Sequence, residues 1–96
     1  MNVKDLHPNA KIDTIELTLT DKNDPRDFTS KWGSSGRVCD AQGKDGNGDS
    51  VIVTLWNDEI DMFQVEDRIR ITDGYCKEFR GELQVSAGKY GKLEKL

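Results

Sequence analysis

Aromatic rings and cations alternate in one short segment of the chain. Tyr75, Lys77 and Phe79 would share one face of an extended strand, and Arg80 follows them. Aromatic rings stack on other flat rings, whereas ammonium and guanidinium groups bind anions such as phosphate. The row therefore suits a ligand in which flat groups alternate with negative charges. The competing interpretation is an ordinary solvated hairpin, which would not usually carry two aromatic side chains.

A tryptophan ends the strand-like run of residues 51–56. Alternation by twos places Val51, Val53 and Leu55 on one face, and Ile52, Thr54 and Trp56 on the other. Trp56 could be exposed as a platform for stacking, or it could fold back over the end of the core as a plug. Burial statistics for tryptophan, taken alone, favour the plug.

The orientation of Tyr75 is ambiguous in the same way. Strict alternation from Ile69 and Ile71 turns Tyr75 inward. A bulge at Asp73-Gly74 would turn it outward, and glycine is a usual residue at bulges. The pattern alone favours the core.

Apolar periodicity predicts five strands and one helix in the order β-β-β-α-β-β. The strands cover 12–20, 37–42, 51–56, 67–75 and 82–87, and the helix covers 57–64 with Asn57 or Asp58 as its cap. Closing such short strands into a barrel leaves no apolar edge exposed. We therefore predict one all-β domain, residues 1–96, built as a five-stranded OB-fold barrel with one short helix between strands 3 and 4. Whether it is a whole protein or one module of a longer chain stays open.

Charge is distributed unevenly along the chain. The net charge is −4, which argues against a protein that coats duplex DNA by bulk charge. Residues 1–73 hold 9 Lys or Arg and 15 Asp or Glu, whereas residues 74–96 hold 5 and 3. The C-terminal quarter is thus locally basic. No apolar run spans a bilayer and residues 1–10 lack the order of a signal peptide, so no membrane association is expected.

Few residues could carry catalysis or bind a metal. Cys39, Cys76 and His7 are too few and too scattered for zinc, and the cysteines are expected to be buried, reduced thiols. The run 45–50 resembles a calcium loop, but Ser50 replaces the required glycine and Trp56 the required glutamate. We predict no catalytic residues, no metal and no cofactors, and therefore no enzyme.

Four stretches in the right order resemble a known family. They are "VKDLHPNAK", "RDFTSKWGSSGRV", "TLWND" with the acidic helix after it, and "DRIRITDGYCKEFRGELQVSAGKYGKLEKL". The chain resembles the single-stranded DNA-binding OB domains of archaeal and eukaryotic replication protein A, including small single-OB repair proteins. The resemblance implies stacking by Trp56, Tyr75 and Phe79, and it favours the outward orientation of Trp56 and Tyr75. Some relatives carry a further aromatic where this chain has Ser86, and Tyr90 is a candidate replacement.

The resemblance also gives a role to the long polar connection 21–36. In OB folds this loop closes over the ligand. Lys31, Arg37 and Arg26 are candidate phosphate contacts there, and Lys77, Arg80 and Lys89 are candidates in the basic quarter. Trp32 is either a clamp on the ligand or an anchor of the loop, and Phe28 is expected to be an anchor.

The functional prediction is sequence-tolerant binding of single-stranded DNA in replication, recombination or repair. Single-stranded RNA is an alternative ligand, because stacking does not register the 2′-hydroxyl. An OB domain used for protein–protein contact is a second alternative, in which the acidic helix 57–66 would meet a basic replication or repair partner. The expected location is the cytoplasm, associated with the nucleoid, or the nucleus of a eukaryote.

Overall fold

The computed structural model describes residues 2–29, 31, 33, 35–87 and 91–96. These residues form one seven-stranded sheet, one short α-helix and a 3-10 turn at Val3–Asp5. The elements in chain order are β1 (Ala10–Lys22), β2 (Arg26–Thr29), β3 (Ser35–Lys44), β4 (Ser50–Trp56), α1 (Asp58–Met62), β5 (Arg68–Phe79), β6 (Glu82–Ser86) and β7 (Lys92–Lys95). No helix among the described residues has the length and apolar character needed to cross a membrane.

The strand pairings form a cycle that returns to β1. The order β1-β3-β4-β6-β5 is antiparallel except at β4–β6, and β5 pairs with β1 again. β2 pairs with β3 and β7 with β5, both outside the cycle. The mostly β architecture with one short helix, between β4 and β5, is confirmed.

The predicted number of five strands is wrong, because the sheet has seven. β2 lies inside the predicted connection 21–36, and β7 lies in the tail predicted to extend the fifth strand. Each has four residues and only one half-buried apolar side chain, Phe28 in β2 and Leu93 in β7. Strands this short and polar carry no alternation that a sequence pattern could reveal.

The predicted inward residues form the core. The buried set includes Ile15, Leu17, Leu19, Val51, Val53, Leu55, Ile60, Phe63, Ile69, Ile71, Val85 and Ala87, whereas Leu83 is only partly buried. Cys39 and Cys76 are buried and unpaired, as expected. Burial raises the pKa of both thiols, which keeps them protonated and poorly reactive.

In both β1 and β5, the alternation of inward and outward side chains shifts by one residue, and the two shifts occur at paired positions. In β5, Ile69 and Ile71 are buried, but beyond Asp73 it is Gly74 and Cys76 that face inward. The register continues unshifted from Thr14↔Thr72 to Ile12↔Gly74. No extra residue enters β5 in this pairing, so the predicted bulge is wrong. Asp73 instead takes a positive φ of 53° and turns Tyr75 outward.

Gly74 is required by close packing at this turn. A Cβ built there would lie 2.5 Å from Cγ2 of Ile71 and 2.6 Å from the carbonyl oxygen of Ser86. The second contact is with backbone, which cannot move aside without disturbing the β5–β6 ladder. A side chain at this position would therefore strain the strand that carries Tyr75.

The helix is shorter than the predicted 57–64, and its cap differs from the prediction. Asn57 occupies the N-cap position with φ 52°, but its side chain makes no capping hydrogen bond. Its Oδ1 instead accepts the Arg37 backbone N–H at 3.0 Å, while its own N–H donates to the Arg37 carbonyl at 2.9 Å. At the other end, Nζ of Lys22 donates to the carbonyls of Ile60 and Phe63. Contacts with β1 and β3 thus fix α1.

The loop between β3 and β4 is organised by Asp45. Its carboxylate accepts backbone N–H groups of Val3 at 2.9 Å, Asn47 at 2.9 Å and Asp49 at 3.0 Å. These hydrogen bonds, with that from Val3 the largest contribution, lower the pKa of Asp45. The loop is a polar hairpin, as predicted, and it holds the N-terminal turn against the sheet.

Replacing Gly74 by alanine should destabilise the fold by about 1–3 kcal/mol, because the added methyl group clashes with Ile71 and the Ser86 carbonyl. Urea unfolding measures the change. Gly46→Ala is the matched control, since a Cβ there meets nothing within 4 Å and φ is not positive. Equal stabilities for the two variants would contradict the tight packing at Gly74.

Candidate nucleic-acid interface

Two open grooves meet on one side of the sheet. The wide groove, of about 1030 Å³, is lined by residues that include Lys11, Trp56, Met62, Asp73, Tyr75 and Lys77. The narrow groove, of about 510 Å³, is lined by residues that include Arg26, Asp40, Trp56, Lys77, Phe79 and Arg80. Trp56 and Lys77 line both grooves. The structure therefore brings the indole ring of Trp56 and the outward-facing side chains Tyr75, Lys77 and Phe79 of β5 onto one continuous surface.

Trp56 stands at the junction of the grooves and is 40% exposed. The ring of Phe28 meets it edge-on, with centroids 5.5 Å apart and planes at 89°. The backbone N–H of Trp56 donates to Oε1 of Glu59 at 3.0 Å. Trp56 is thus supported from β2 and from α1 while one part of its ring stays open to solvent. A tryptophan folded into the core as a plug does not fit this exposure.

Phe28 behaves as the predicted anchor of its segment. It is half-buried in β2 opposite Gly36, where a Cβ would lie 2.8 Å from its Cζ. Glycine at this point of β3 leaves room for the phenyl ring, which contacts Trp56. The predicted role of Trp32 falls on a residue outside those that the structure describes.

The β5–β6 hairpin presents the remaining aromatic residues. Tyr75 is 39% exposed and Phe79 57% exposed, and Lys77 is exposed between them. Arg80 and Gly81 both have positive φ, 53° and 82°, which is the geometry of a tight two-residue hairpin turn. The guanidinium of Arg80 lies 5.2 Å from the centre of the Phe79 ring. The turn therefore places a cation beside an exposed aromatic ring.

Ser86 lies directly across from Tyr75 in the β5–β6 ladder and lines the wide groove. This is the position at which some relatives were expected to carry an aromatic ring. A small side chain leaves space beside Tyr75, and that space is part of the groove. The candidate replacement Tyr90, and Lys89 beside it, lie outside the described residues.

The arginines of β2 and β3 form ion pairs, whereas the other described cations that line the grooves do not. Arg37 pairs with Asp61 at 2.8 Å, and Arg26 pairs with Asp40 at 3.2 Å. Within the described part of the chain, Lys11, Lys77 and Arg80 form no ion pair. Lys11, Lys77 and Arg80 can therefore bind an anion without first breaking an ion pair with a carboxylate.

Two predicted phosphate contacts lie away from these grooves. Arg37 is not among the residues lining either groove, and its backbone and side chain both join β3 to the helix region through Asn57 and Asp61. Lys31 is exposed but lines neither groove. The predicted set is therefore brought together only in part.

Several groove residues were missed by sequence reasoning. Lys11 reaches the wide groove because it pairs with Tyr75 across β1 and β5, a register that no local pattern encodes. Met62 and Asp73 line the same groove. The one signal in the sequence for these residues was that Met62 lies outside the apolar face of the helix, which indicates an exposed apolar side chain. Among the described residues no group of three or more His, Cys, Asp or Glu side chains could hold a metal ion.

The structural neighbours of the chain are OB-fold domains of archaeal replication protein A and of related proteins, which confirms the resemblance seen in the sequence. The second OB-fold domain of replication protein A from Methanococcus maripaludis matches with a TM-score of 0.79 and 25% identity, over 100% of this chain and 93% of that domain. No family model matches the sequence.

Two further matches establish the fold alone, because their identities are lower. A replication factor A related protein from Methanobacterium thermoautotrophicum matches with a TM-score of 0.78 and 22% identity, over 100% of this chain and 89% of that one. One chain of a replication protein A heterotrimer bound to single-stranded DNA matches with a TM-score of 0.72 and 18% identity, over 100% of this chain and 24% of that one.

The free energy of unfolding should depend on pH through Glu59, whose carboxyl group accepts the backbone N–H of Trp56. Burial raises the pKa of this carboxyl, and the hydrogen bond from Trp56 offsets only part of the effect. Below the pKa of the unfolded chain, about 4.3, the carboxyl is protonated in both states and the fold keeps its full stability. As pH rises through the higher pKa of the folded state, ionisation favours the unfolded chain and this stability is lost. Glu59→Gln stays neutral and can still accept the N–H. Urea unfolding should show the variant gaining stability relative to the wild type as pH rises through this window, and a constant difference would contradict the assignment.

Proposed function

We propose that this chain is a closed OB-type barrel that binds single-stranded DNA with little sequence preference, in replication, recombination or repair. Trp56, Tyr75 and Phe79 stack on bases, and Lys77 and Arg80 meet phosphates. The observation that carries the proposal is the continuity of the two grooves at Trp56 and Lys77. A strand crossing both grooves would meet all three exposed rings.

The magnitudes favour such a ligand. Stacking of a base on an exposed aromatic ring contributes about 1–3 kcal/mol by alanine substitution, so three rings together offer a favourable contribution of several kcal/mol. Lys77 and Arg80 add electrostatic attraction that falls with salt. The net charge of −4 does not oppose this, because Lys11, Lys77 and Arg80 line the grooves beside the rings and form no ion pair within the described residues. The solved heterotrimer bound to single-stranded DNA supports the same ligand class by likeness of fold.

A second candidate function rests on the surface of α1. Asp58, Glu59 and Asp61 fill its first turn, and Met62 and Val65 are exposed beside them. An acidic surface with exposed apolar side chains fits a basic replication or repair protein. Single-stranded RNA remains a further candidate for the grooves, since the stacking surfaces do not distinguish the sugar. We place the protein in the cytoplasm, or in the nucleus of a eukaryote.

Tryptophan fluorescence separates these candidates. Addition of oligo-dT should quench the emission of the wild type, and duplex DNA should quench far less because its bases are already stacked. Trp56→Phe should lose most of the signal and keep much of the affinity. No quenching, together with no change in anisotropy of a labelled strand at low salt, would remove the DNA proposal and favour a protein partner.

Alanine at Trp56, Tyr75 or Phe79 should weaken binding of oligo-dT by about 1–3 kcal/mol each, because each variant removes one stacking surface. Anisotropy titration measures the affinity, and urea unfolding confirms that each variant stays folded. Val65→Ala is the control, as an exposed apolar residue that lines neither groove. Normal binding by the three aromatic variants would refute the stacking platform.

Salt dependence should identify the phosphate contacts. The slope of log affinity against log salt changes by about 0.7 for each phosphate neutralised on a single strand. Lys77→Ala and Arg80→Ala should each flatten the slope by about that amount. Lys44→Ala should leave it unchanged, because Lys44 is exposed on β3 and lines neither groove. The same change in all three variants would mean that charge acts only in bulk.

A further inference from the structure

Arg26 lines the narrow groove from the side of β2. It pairs with Val38 of β3, and Val38 pairs with Trp56 of β4, so the three residues form one row across neighbouring strands. All three line the narrow groove. Neighbouring strands lie about 5 Å apart, which puts the backbone of Arg26 about 10 Å from that of Trp56. In the strand order, this cation and the β5–β6 hairpin lie on opposite sides of β4.

The structure gives Arg26 one anionic partner, Asp40, which lines the same groove. Nη2 of Arg26 lies 3.2 Å from Oδ2 of Asp40, and 66% of the arginine side chain stays exposed. A guanidinium group has five N–H donors, and within the described residues this contact is the one side-chain hydrogen bond that Arg26 makes. Most of its donors are therefore free, in a pair that a ligand can reach.

Asp40 is held more firmly than Arg26. It lies inside the long strand β3, where it pairs with Thr54 of β4, and its carbonyl accepts the N–H of Asn23 at 2.9 Å. Arg26 begins a four-residue strand that, within the described residues, pairs with β3 alone. If the ion pair opens, we therefore expect the arginine side chain to move and the carboxylate to stay in the groove.

A phosphate group in the narrow groove would compete with Asp40 for this guanidinium. Arginine forms charge-assisted hydrogen bonds with carboxylates and phosphates alike. Lys77 and Arg80 line the same groove and would attract the phosphate as well. The phosphate and the carboxylate repel each other, so they cannot both bind the guanidinium closely without loss of energy. Exposed ion pairs contribute little to stability, so the pair with Asp40 is easily broken.

We propose that Asp40 is an internal competitor of the ligand. It binds Arg26 in the free protein, and a phosphate of the bound strand takes its place. This inference rests on the proposed binding of single strands and adds a residue that sets the affinity. Arg26 and Arg80 then bind the backbone from the two sides of β4, and the ion pair that must be broken weakens the complex.

The test is a double-mutant cycle on Asp40 and Arg26, with anisotropy titration of labelled oligo-dT at low salt. Asp40→Asn should tighten binding about 3–10-fold, because it frees Arg26 and removes a charge that repels the phosphate. Arg26→Met should weaken binding and flatten the slope of log affinity against log salt by about 0.7, as for one lost phosphate contact. In the Arg26→Met background, most of the gain from Asp40→Asn should disappear.

Glu82→Gln is the matched control within the same groove. Glu82 lines the narrow groove but forms no ion pair within the described part of the chain, so this variant removes a carboxylate charge without freeing Arg26. Its effect should be the same with arginine or methionine at position 26. Asp61→Asn is the control outside the grooves, because it breaks the comparable ion pair of Arg37. It should change the affinity far less than Asp40→Asn, and urea unfolding checks that every variant is folded.

The outcomes separate this inference from the proposed function. A gain from Asp40→Asn that persists in the Arg26→Met background, or that Glu82→Gln equals, would assign the effect to local charge alone. Weaker binding by Asp40→Asn would mean that Asp40 orients Arg26 toward the ligand, and an unchanged salt slope in Arg26→Met would remove Arg26 as a phosphate contact. Each of these results overturns the inference and leaves single-strand binding intact. Failure of the wild type to bind oligo-dT would refute the proposed function itself.

Discussion

The outward turn of β5 at Asp73 is the constraint on which the candidate site depends. Asp73 takes a left-handed backbone conformation, and the alternation of β1 changes phase opposite it while the register of the two strands is kept. Cys76 then faces the core, and Tyr75 and Lys77 face the grooves. A side chain at Gly74 would collide with Ile71 and with the Ser86 carbonyl, so the turn and the adjacent β6 strand form one packed unit.

A second set of contacts holds the opposite wall of the grooves. Side chains there bind backbone groups: Asn57 to Arg37, Glu59 to Trp56, and Lys22 to the end of α1. A five-residue helix has little stability by itself, because its few internal hydrogen bonds barely offset the cost of forming a first turn. These contacts therefore stabilise the short helix, and they fix the position of Trp56 relative to β2 and β3.

Sequence reasoning succeeded where the signal was local. The alternation within β1, β4 and β5 predicted the core residues. The run that ends at Trp56 placed this residue on the face opposite Val51, Val53 and Leu55, but only the resemblance favoured exposure of its ring over a buried plug. Tyr75 was assigned outward only through resemblance, because its orientation is set by one left-handed residue and not by the period of the strand. The strands β2 and β7, the ion pair of Arg37 and the pairing of Lys11 with Tyr75 depend on contacts between distant segments. No pattern within a short window contains that information.

The ring of strand pairings is closed by a short seam. β4 and β6 are joined in parallel by two residue pairs, Ile52↔Gln84 and Val53↔Val85, whereas β1 and β5 share eight. The seam residues Ile52 and Gln84 line the narrow groove together with Trp56 and Phe79, so this groove lies over the seam. A ligand that contacts both β4 and the β5–β6 hairpin would stabilise the pairing of β4 with β6, which has the fewest residue pairs in the cycle. Binding and the integrity of the fold would then be linked through the same opening.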